Sequence, residues 1–277
     1  MGTGEALREV GAVNWSLFGL ALLAMALIHL GVNLTNDYFD HLSGADDINP
    51  APLSPLAGGS RAIQEGLLPP KAVLSGGLLL IALGAALGLL LAFLSGPLLL
   101  LIGAFGALTG FFYTAPPLRL GYRGLGEACV ALDFGVLPVL GAFYVQAGRL
   151  SLGAFLASLP VAFLVAAVLW ANEIPDIPYD RAAGKLTLPA RLGPEGAARG
   201  LAVLFVAAFL SVAFLALLWR RPVLLLPLAA APLAVASVLR AVENSRRPDR
   251  LGPACKLAVL AHLVGGLLLF ASLVLAH

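Results

Sequence analysis

"VNWSLFGLALLAMALIHLGVNLTNDYFDHLSGADD", residues 13 to 47, joins a long apolar run to a stretch with four aspartates within eleven positions. A helix needs about 20 apolar residues to cross the hydrocarbon of a bilayer, and residues 13–34 supply them. The charges begin where the run stops. The stretch therefore reads as a membrane-spanning helix whose end carries an acidic motif at the membrane edge.

The apolar half of that pattern recurs at about 72–94, 97–114, 127–147, 152–172, 199–218, 222–240 and 256–275, giving eight expected spans. The chain has 277 residues, 60% of them hydrophobic and 12% charged, with a mean hydropathy of +0.95. These values exclude an ordinary soluble domain. The expected fold is all-α: one transmembrane domain over residues 1–277, with halves at about 13–147 and 152–275 that form a weak pseudo-repeat. The first run does not read as a cleaved leader, because Glu5 and Glu9 spoil a basic N-region and the apolar residues continue to Leu34. Cys129 and Cys255 have no paired spacing and read as small buried hydrophobes.

Eight crossings divide the loops into two sets. Of the 17 Lys and Arg, all but Arg8, Arg149, Arg220 and Arg221 fall with loops 35–71, 115–126, 173–198 and 241–255. The positive-inside rule puts that set in the cytoplasm and both termini outside. Twelve of the 15 acids lie on the same side. The rule does not explain acids, so their gathering there points to a site.

Asn33, Asn36, Asp37 and Asp40 stand at i, i+3, i+4 and i+7, one face of a helix. They are hard oxygen donors of the kind that suits Mg²⁺, which takes one or two carboxylates plus substrate phosphates. A solvated acidic helix end is the plain alternative, but the dipole disfavours carboxylates at a C-terminus. "ANEIPDIPYDRAAGKLTLPARLG", residues 171–193, repeats the device. Asn172, Asp176 and Asp180 fall at i, i+4 and i+8, on one face if the helix survives Pro175 and Pro178. Glu173 either joins them or faces water. Asp40-x3-Gly44 and Asp180-x3-Gly184 are matching patterns 140 residues apart. Two such motifs at one membrane face imply a diphosphate clamped through Mg²⁺ between carboxylate clusters.

The same loops carry cations suited to phosphate. Arg61 follows Gly58–Gly59–Ser60; Arg119 and Arg123 follow Tyr113; and Lys185 follows the second motif with Arg181 and Arg191 nearby. Arg240, Arg246, Arg247 and Arg250 read as charges near anionic headgroups. Asp133 lies alone inside the fourth span. It is either functional or a carboxyl satisfied by a neighbouring helix. The four histidines, His29, His41, His262 and His277, have no metal spacing, and only His41 lies beside a motif.

Together "NDYFDHLSGADD", "GGSRAIQEGLL", "YTAPPLRLGYRGLGE" and "NEIPDIPYDRAAGKLTLPARLG" resemble the UbiA superfamily of intramembrane prenyltransferases. Within it they most resemble the 1,4-dihydroxy-2-naphthoate prenyltransferases of the menaquinone pathway. The resemblance covers most of residues 20–195; the last third is similar only as hydrophobic helices. It implies a helical bundle around a central cavity, with a polyprenyl diphosphate head under a cytoplasmic cap and its tail leaving sideways into lipid. It also implies that Asn36, Asp37 and Asp40 form the first Mg²⁺–diphosphate motif, and Asp176 with Asp180 the second. Arg61, Lys185 and Arg119 would hold diphosphate oxygens, and Tyr113 would lie near the ionising carbon. Such relatives usually have nine spans; here about a dozen residues precede the first long run, so eight are expected.

The implied reaction is Mg²⁺-dependent transfer of a polyprenyl group to an aromatic ring. The acceptor implied is 1,4-dihydroxy-2-naphthoate, giving demethylmenaquinone, diphosphate and CO2. A relative using 4-hydroxybenzoate, a glycerol phosphate lipid, a chlorophyllide or haem would keep every motif. A CDP-alcohol phosphotransferase would need one compact acidic motif, and a divalent-cation or organic-anion transporter would place its acids at the midplane rather than the edge. The expected partners are the two substrates and membrane lipid, with no nucleic acid and no obligate protein partner. The Leu/Ala-rich, Ile-poor composition suggests a prokaryotic plasma membrane.

Overall fold

The computed structural model describes residues 1–44 and 60–276. Among them there is no strand, and nine helices of nine residues or more follow in order: α1 Gly2–Val10, α2 Trp15–Ser43, α3 Pro70–Ser95, α4 Leu98–Phe111, α5 Gly126–Ala147, α6 Leu152–Ala182, α7 Leu188–Leu218, α8 Pro222–Glu243 and α9 Gly252–Leu275. Seven of these, all but α1 and α4, are long and apolar enough to cross a membrane. Gly58, Gly59, Asp46 and Asp47 lie outside the described residues.

Each expected span has its helix, but the ends differ. The third becomes α4, whose 14 residues rise only about 21 Å against a hydrocarbon core of about 30 Å. Phe112, Tyr113 and Ala115 turn back onto the carbonyls of Leu108, Gly110 and Phe111, and Pro116–Pro117 end any helix there. The segment expected at 222–240 starts as a 3₁₀ stretch, Pro222–Ala230, before the α-helical Ala231–Glu243. Helices α2 and α6 overrun their apolar spans at the motif end, reaching Ser43 and Ala182. Helix α7 begins eleven residues before its expected apolar start, kinked at Gly193 (φ 74°).

The core lies in the second half of the chain. Leu164, Trp170 and Ile174 of α6 pack with Leu201 and Phe205 of α7, Ala234 and Ala241 of α8, and Ala254 and Ala258 of α9. Trp170 Nε1 donates to the Ala197 carbonyl at 2.7 Å. By contrast α2 and α3 turn large side chains outward, among them Leu22, Leu23, Leu79, Leu89 and Phe93, the last 88% exposed. An apolar surface of this extent is stable only against lipid. The two helices meet backbone to backbone. A Cβ added at Gly31 would stand 2.7 Å from the Gly77 carbonyl, and one at Gly84 would stand 2.9 Å from the Ala24 carbonyl. This is the small-residue packing that membrane helices use in place of a hydrophobic driving force.

Helix α1 was not expected. It lies on α5, α6 and α9 at the end remote from the acidic motifs. Its Glu5 is fully buried and takes a two-pronged hydrogen bond from Arg8 at 2.8 and 2.6 Å. Burial pushes the Glu5 carboxyl up, and Arg8 opposes that shift. Arg8 also covers the Trp219 ring at 4.0 Å, and Arg149 pairs with Glu9 at 2.8 Å. Gly4 of α1 sits beside Phe270 and Leu273 of α9. Both ends of the described chain therefore lie at one end of the bundle.

Candidate active site

The acidic residues stand on two helix ends of the same design. Helix α2 stops at Gly44 (φ 74°), whose N–H reaches the Asp40 and His41 carbonyls. Helix α6 gives way to Gly184 (φ 72°), and the Lys185 N–H turns back to the Asp180 carbonyl at 2.7 Å. Only glycine adopts this left-handed backbone without strain. The Asp-x3-Gly pattern is thus an aspartate one turn before a helix terminator. Pro175 and Pro178 do not break α6, so Asn172, Asp176 and Asp180 stay on one continuous helix.

One loop, residues 112–125, ties both ends together. Tyr122 Oη donates to Asp40 Oδ1 at 2.8 Å and lies 2.8 Å from Ser43 Oγ. The Tyr122 carbonyl accepts from the Leu186 N–H at 3.0 Å. Thr114 Oγ1 donates to Asn36 Oδ1 at 2.9 Å. On the other flank, the Ser60 N–H donates to Asp37 Oδ2 at 3.2 Å, bringing the neighbouring Arg61 to the first motif. Arg119 and Lys185 flank the Tyr122 ring at 5.7 and 5.9 Å. Burial pushes the Tyr122 hydroxyl well up, and the Asp40 charge adds to it, so it remains a proton donor.

Lys185 is the central cation. Its Nζ lies 3.7 Å from Asp180 Oδ1. Burial alone would lower its ammonium, but Asp180, Asp40, Tyr113 and Glu173 together hold it well above the ordinary lysine range. Beneath it are oxygens with no protein partner: Asp180 Oδ2, both oxygens of Glu173, Glu127 Oε2 and Asn172 Oδ1. Glu173 and Glu127 are each 4% exposed, so Glu173 does not face water. Glu127 Oε1 accepts the Leu188 N–H at 2.6 Å. Tyr113 packs on the bare backbone of Gly121 and Gly126, where a Cβ would come within 2.8 Å of it. Burial, then Glu173, pushes its hydroxyl up as well.

Not every candidate meets here. Arg123 spends its guanidinium on the Pro117 carbonyl at 3.0 Å, and Arg191 reaches the carbonyls of Leu186 and Arg123 at 3.0 and 2.7 Å. Both brace the loop. Asn33 lies 3.4 Å from His29 Nε2, one turn deeper than Asn36. Asp176 lies within electrostatic reach of Cys255 on α9. Sequence reasoning missed Tyr122, Ser43 and Thr114, which carry no charge. Below the rim an apolar cavity of about 270 Å³ runs between α2, α4 and α5, walled by Phe18, Ile28, Val32, Ile102, Gly110 and Leu137.

A lipid-facing helical bundle, an apolar chamber and a rim where two acidic helix ends meet the half-buried Lys185 together define an intramembrane enzyme. A family model described as the UbiA prenyltransferase family matches residues 2–263, and the chain belongs to that family. The 1,4-dihydroxy-2-naphthoate octaprenyltransferase of Mycobacterium tuberculosis is 36% identical over 268 residues, covering 96% of this chain and 87% of the relative. That of Mycobacterium leprae is 32% identical over 275 residues, covering 99% and 90%. The fold is shared with a UbiA homologue from Archaeoglobus fulgidus bound to DMAPP and Mg²⁺ (TM-score 0.64, 19% identity, 97% and 92% of the two chains).

Proposed function

We propose that this protein transfers a polyprenyl group from polyprenyl diphosphate to 1,4-dihydroxy-2-naphthoate. The products are diphosphate, CO2 and demethylmenaquinone in its quinol form. The reading places the protein in a prokaryotic plasma membrane with the acidic rim facing the cytoplasm. One observation carries it: two acidic helix ends 140 residues apart are held together by Tyr122 around the half-buried Lys185. The names of the 36% and 32% identical relatives support the choice of acceptor.

Lys185, Arg61 and Arg119 would oppose the charge that grows on the diphosphate as the allylic C–O bond breaks. That bond's electron pair leaves with the diphosphate. The ring carbon bearing the carboxylate then bonds the allylic carbon, and the bond to CO2 breaks with its pair returned to the ring. The apolar chamber would keep water from the cation, and Tyr113, whose hydroxyl burial pushes up, would lie near the ionising carbon as a neutral neighbour.

Among the described residues no three His, Cys, Asp or Glu side chains form a ready-made metal cage. Mg²⁺ seldom uses one; it takes one or two carboxylates and completes its shell from phosphate and water. The partnerless Asp180 Oδ2 and the set Asn36, Asp37, Asp40 and Asp176 fit such an ion arriving with the diphosphate. Bound there, Mg²⁺ would supply charge neutralisation on the leaving group.

The test is an acceptor panel with labelled prenyl diphosphate and membranes containing the protein. Dihydroxynaphthoate should be prenylated with one CO2 released per transfer. Prenylation of 4-hydroxybenzoate or a glycerol phosphate alone, or full activity of Asp37→Ala or Asp176→Ala, would overturn the assignment.

A further inference from the structure

The apolar cavity holds polar groups that a hydrocarbon tail cannot use. Asp133 and His29 both line it at mid-depth, beside Phe134. Asp133 lies in Leu132–Val136, a π-helical turn inside α5. Such turns re-aim side chains and recur at functional sites. Its Oδ1 lies 2.8 Å from Thr109 Oγ1 on α4. Thr109, however, has one hydroxyl proton and two other acceptors in reach, the carbonyls of Phe105 and Gly106 at 2.8 and 3.2 Å. Thr109 alone therefore does not satisfy the carboxyl. The His29 ring meets Phe134 edge to face, with centroids 5.1 Å apart.

A polyprenyl chain has no donor or acceptor, and pressing it on a carboxyl and an imidazole would strip both of water without return. A hydroxylated aromatic ring answers both needs: its O–H satisfies the carboxyl and its face suits two ring edges. The cavity's inner wall includes Val32 and Gly110. Val32 is one helical turn from Asn36, and Gly110 is three residues from Tyr113, so the cavity that holds Asp133 opens toward the rim.

We infer that Asp133, with Phe134 and His29 beside it, is the subsite for the acceptor ring, the carboxyl accepting a hydrogen bond from a ring hydroxyl. The inference rests on the proposed aromatic acceptor and adds where that ring is read. A ring hydroxyl bonded to a carboxyl gains electron density, which favours attack on the allylic carbon. Thr109 acts as a positioning residue that turns Asp133 toward the cavity.

Two probes, with no prenyl donor present, test it by calorimetry on purified protein in detergent: 4-hydroxy-2-naphthoate and 2-naphthoate, which differ by a hydroxyl that cannot bond to the probe's own carboxylate. Wild type should prefer the hydroxylated probe about tenfold, and Asp133→Ala should bind both equally. Asp133→Leu, which keeps the volume without an acceptor, should also bind both equally and covers the case of a misfolded alanine variant; Thr109→Val, which unties the carboxyl, should weaken the preference. In turnover, Asp133→Ala should raise KM for the acceptor at least tenfold and leave KM for the prenyl diphosphate unchanged. A wild type that binds both probes equally, or an Asp133→Ala variant that keeps the preference, overturns the inference. A wild type that prenylates a different ring sinks only the naphthoate reading, and the same comparison then runs on that acceptor and its deoxy form.

Discussion

Tyr122 donates its hydroxyl to Asp40 at 2.8 Å across 82 residues of sequence, and its carbonyl anchors the chain next to Lys185. Tyr122→Phe removes the first bond and keeps the second. Prenyl-transfer activity should fall about tenfold to a hundredfold, chiefly through KM for the diphosphate, while the protein still folds. Wild-type kinetics in this variant would show that Asp40 needs no such brace.

Lys185 neutralises Asp180 in a place where neither is well hydrated. Lys185→Ala leaves the carboxylate uncompensated and should cost about 3–5 kcal/mol, read as a lower unfolding temperature in detergent, and should abolish transfer. The folded ammonium is held above its unfolded value near 10.4, so its contribution is fully present below about pH 10. It is lost only as the pH climbs through the folded value. A thermal midpoint of the wild type that dropped between pH 7 and 9, with no such drop in Lys185→Ala, would contradict this.

Metal removal should separate activity from stability. With no ready-made cage among the described residues, a chelator should stop transfer yet leave the melting temperature of the substrate-free protein unchanged. Melting that moved by many degrees on chelation would instead reveal a structural ion.

At the α2–α3 contact, Gly77 faces the Gly31 carbonyl so closely that a Cβ would come within 2.9 Å of it. Gly77→Leu should destabilise the protein by about 3 kcal/mol. Gly88, whose Cβ would meet nothing within 4 Å, should accept alanine without loss. Equal melting of the two variants would mean the helices are not packed as described.

The bases divide in the same way. Arg123→Ala should lower stability with little change in KM, because its guanidinium holds the Pro117 carbonyl. Arg61→Ala and Arg119→Ala should raise KM for the diphosphate. The converse pattern would return Arg123 to the substrate.

Hydropathy showed all eight apolar segments because lipid imposes a composition on them. The motif faces were readable because i+3 and i+4 spacing survives any tertiary context. The helix overruns were not. Residues 35–43 and 173–182 are too polar to be read as span, and Tyr122, Thr114 and Lys185 meet them in the folded chain. The roles of Tyr122 and Thr114 depend on a fold-back with no local pattern, and the burial of Glu173 depends on where α5 lies. Helix α1 was overlooked because nine residues with three charges resemble a tail until Arg8 is seen closing over Glu5.

The Leu186–Tyr122 link also sets a schedule for biosynthesis. A ribosome delivers Asp37 and Asp40 long before Lys185, so a nascent chain holds an acidic ledge with no cation to set it against. On the proposed reading the ionising centre would come into being only when the α6–α7 connection docks on Tyr122, and a half-made protein would not waste prenyl diphosphate as free alcohol. A fragment ending near residue 150 should accordingly release no diphosphate; measurable release from it would show that the first half alone makes the reactive centre.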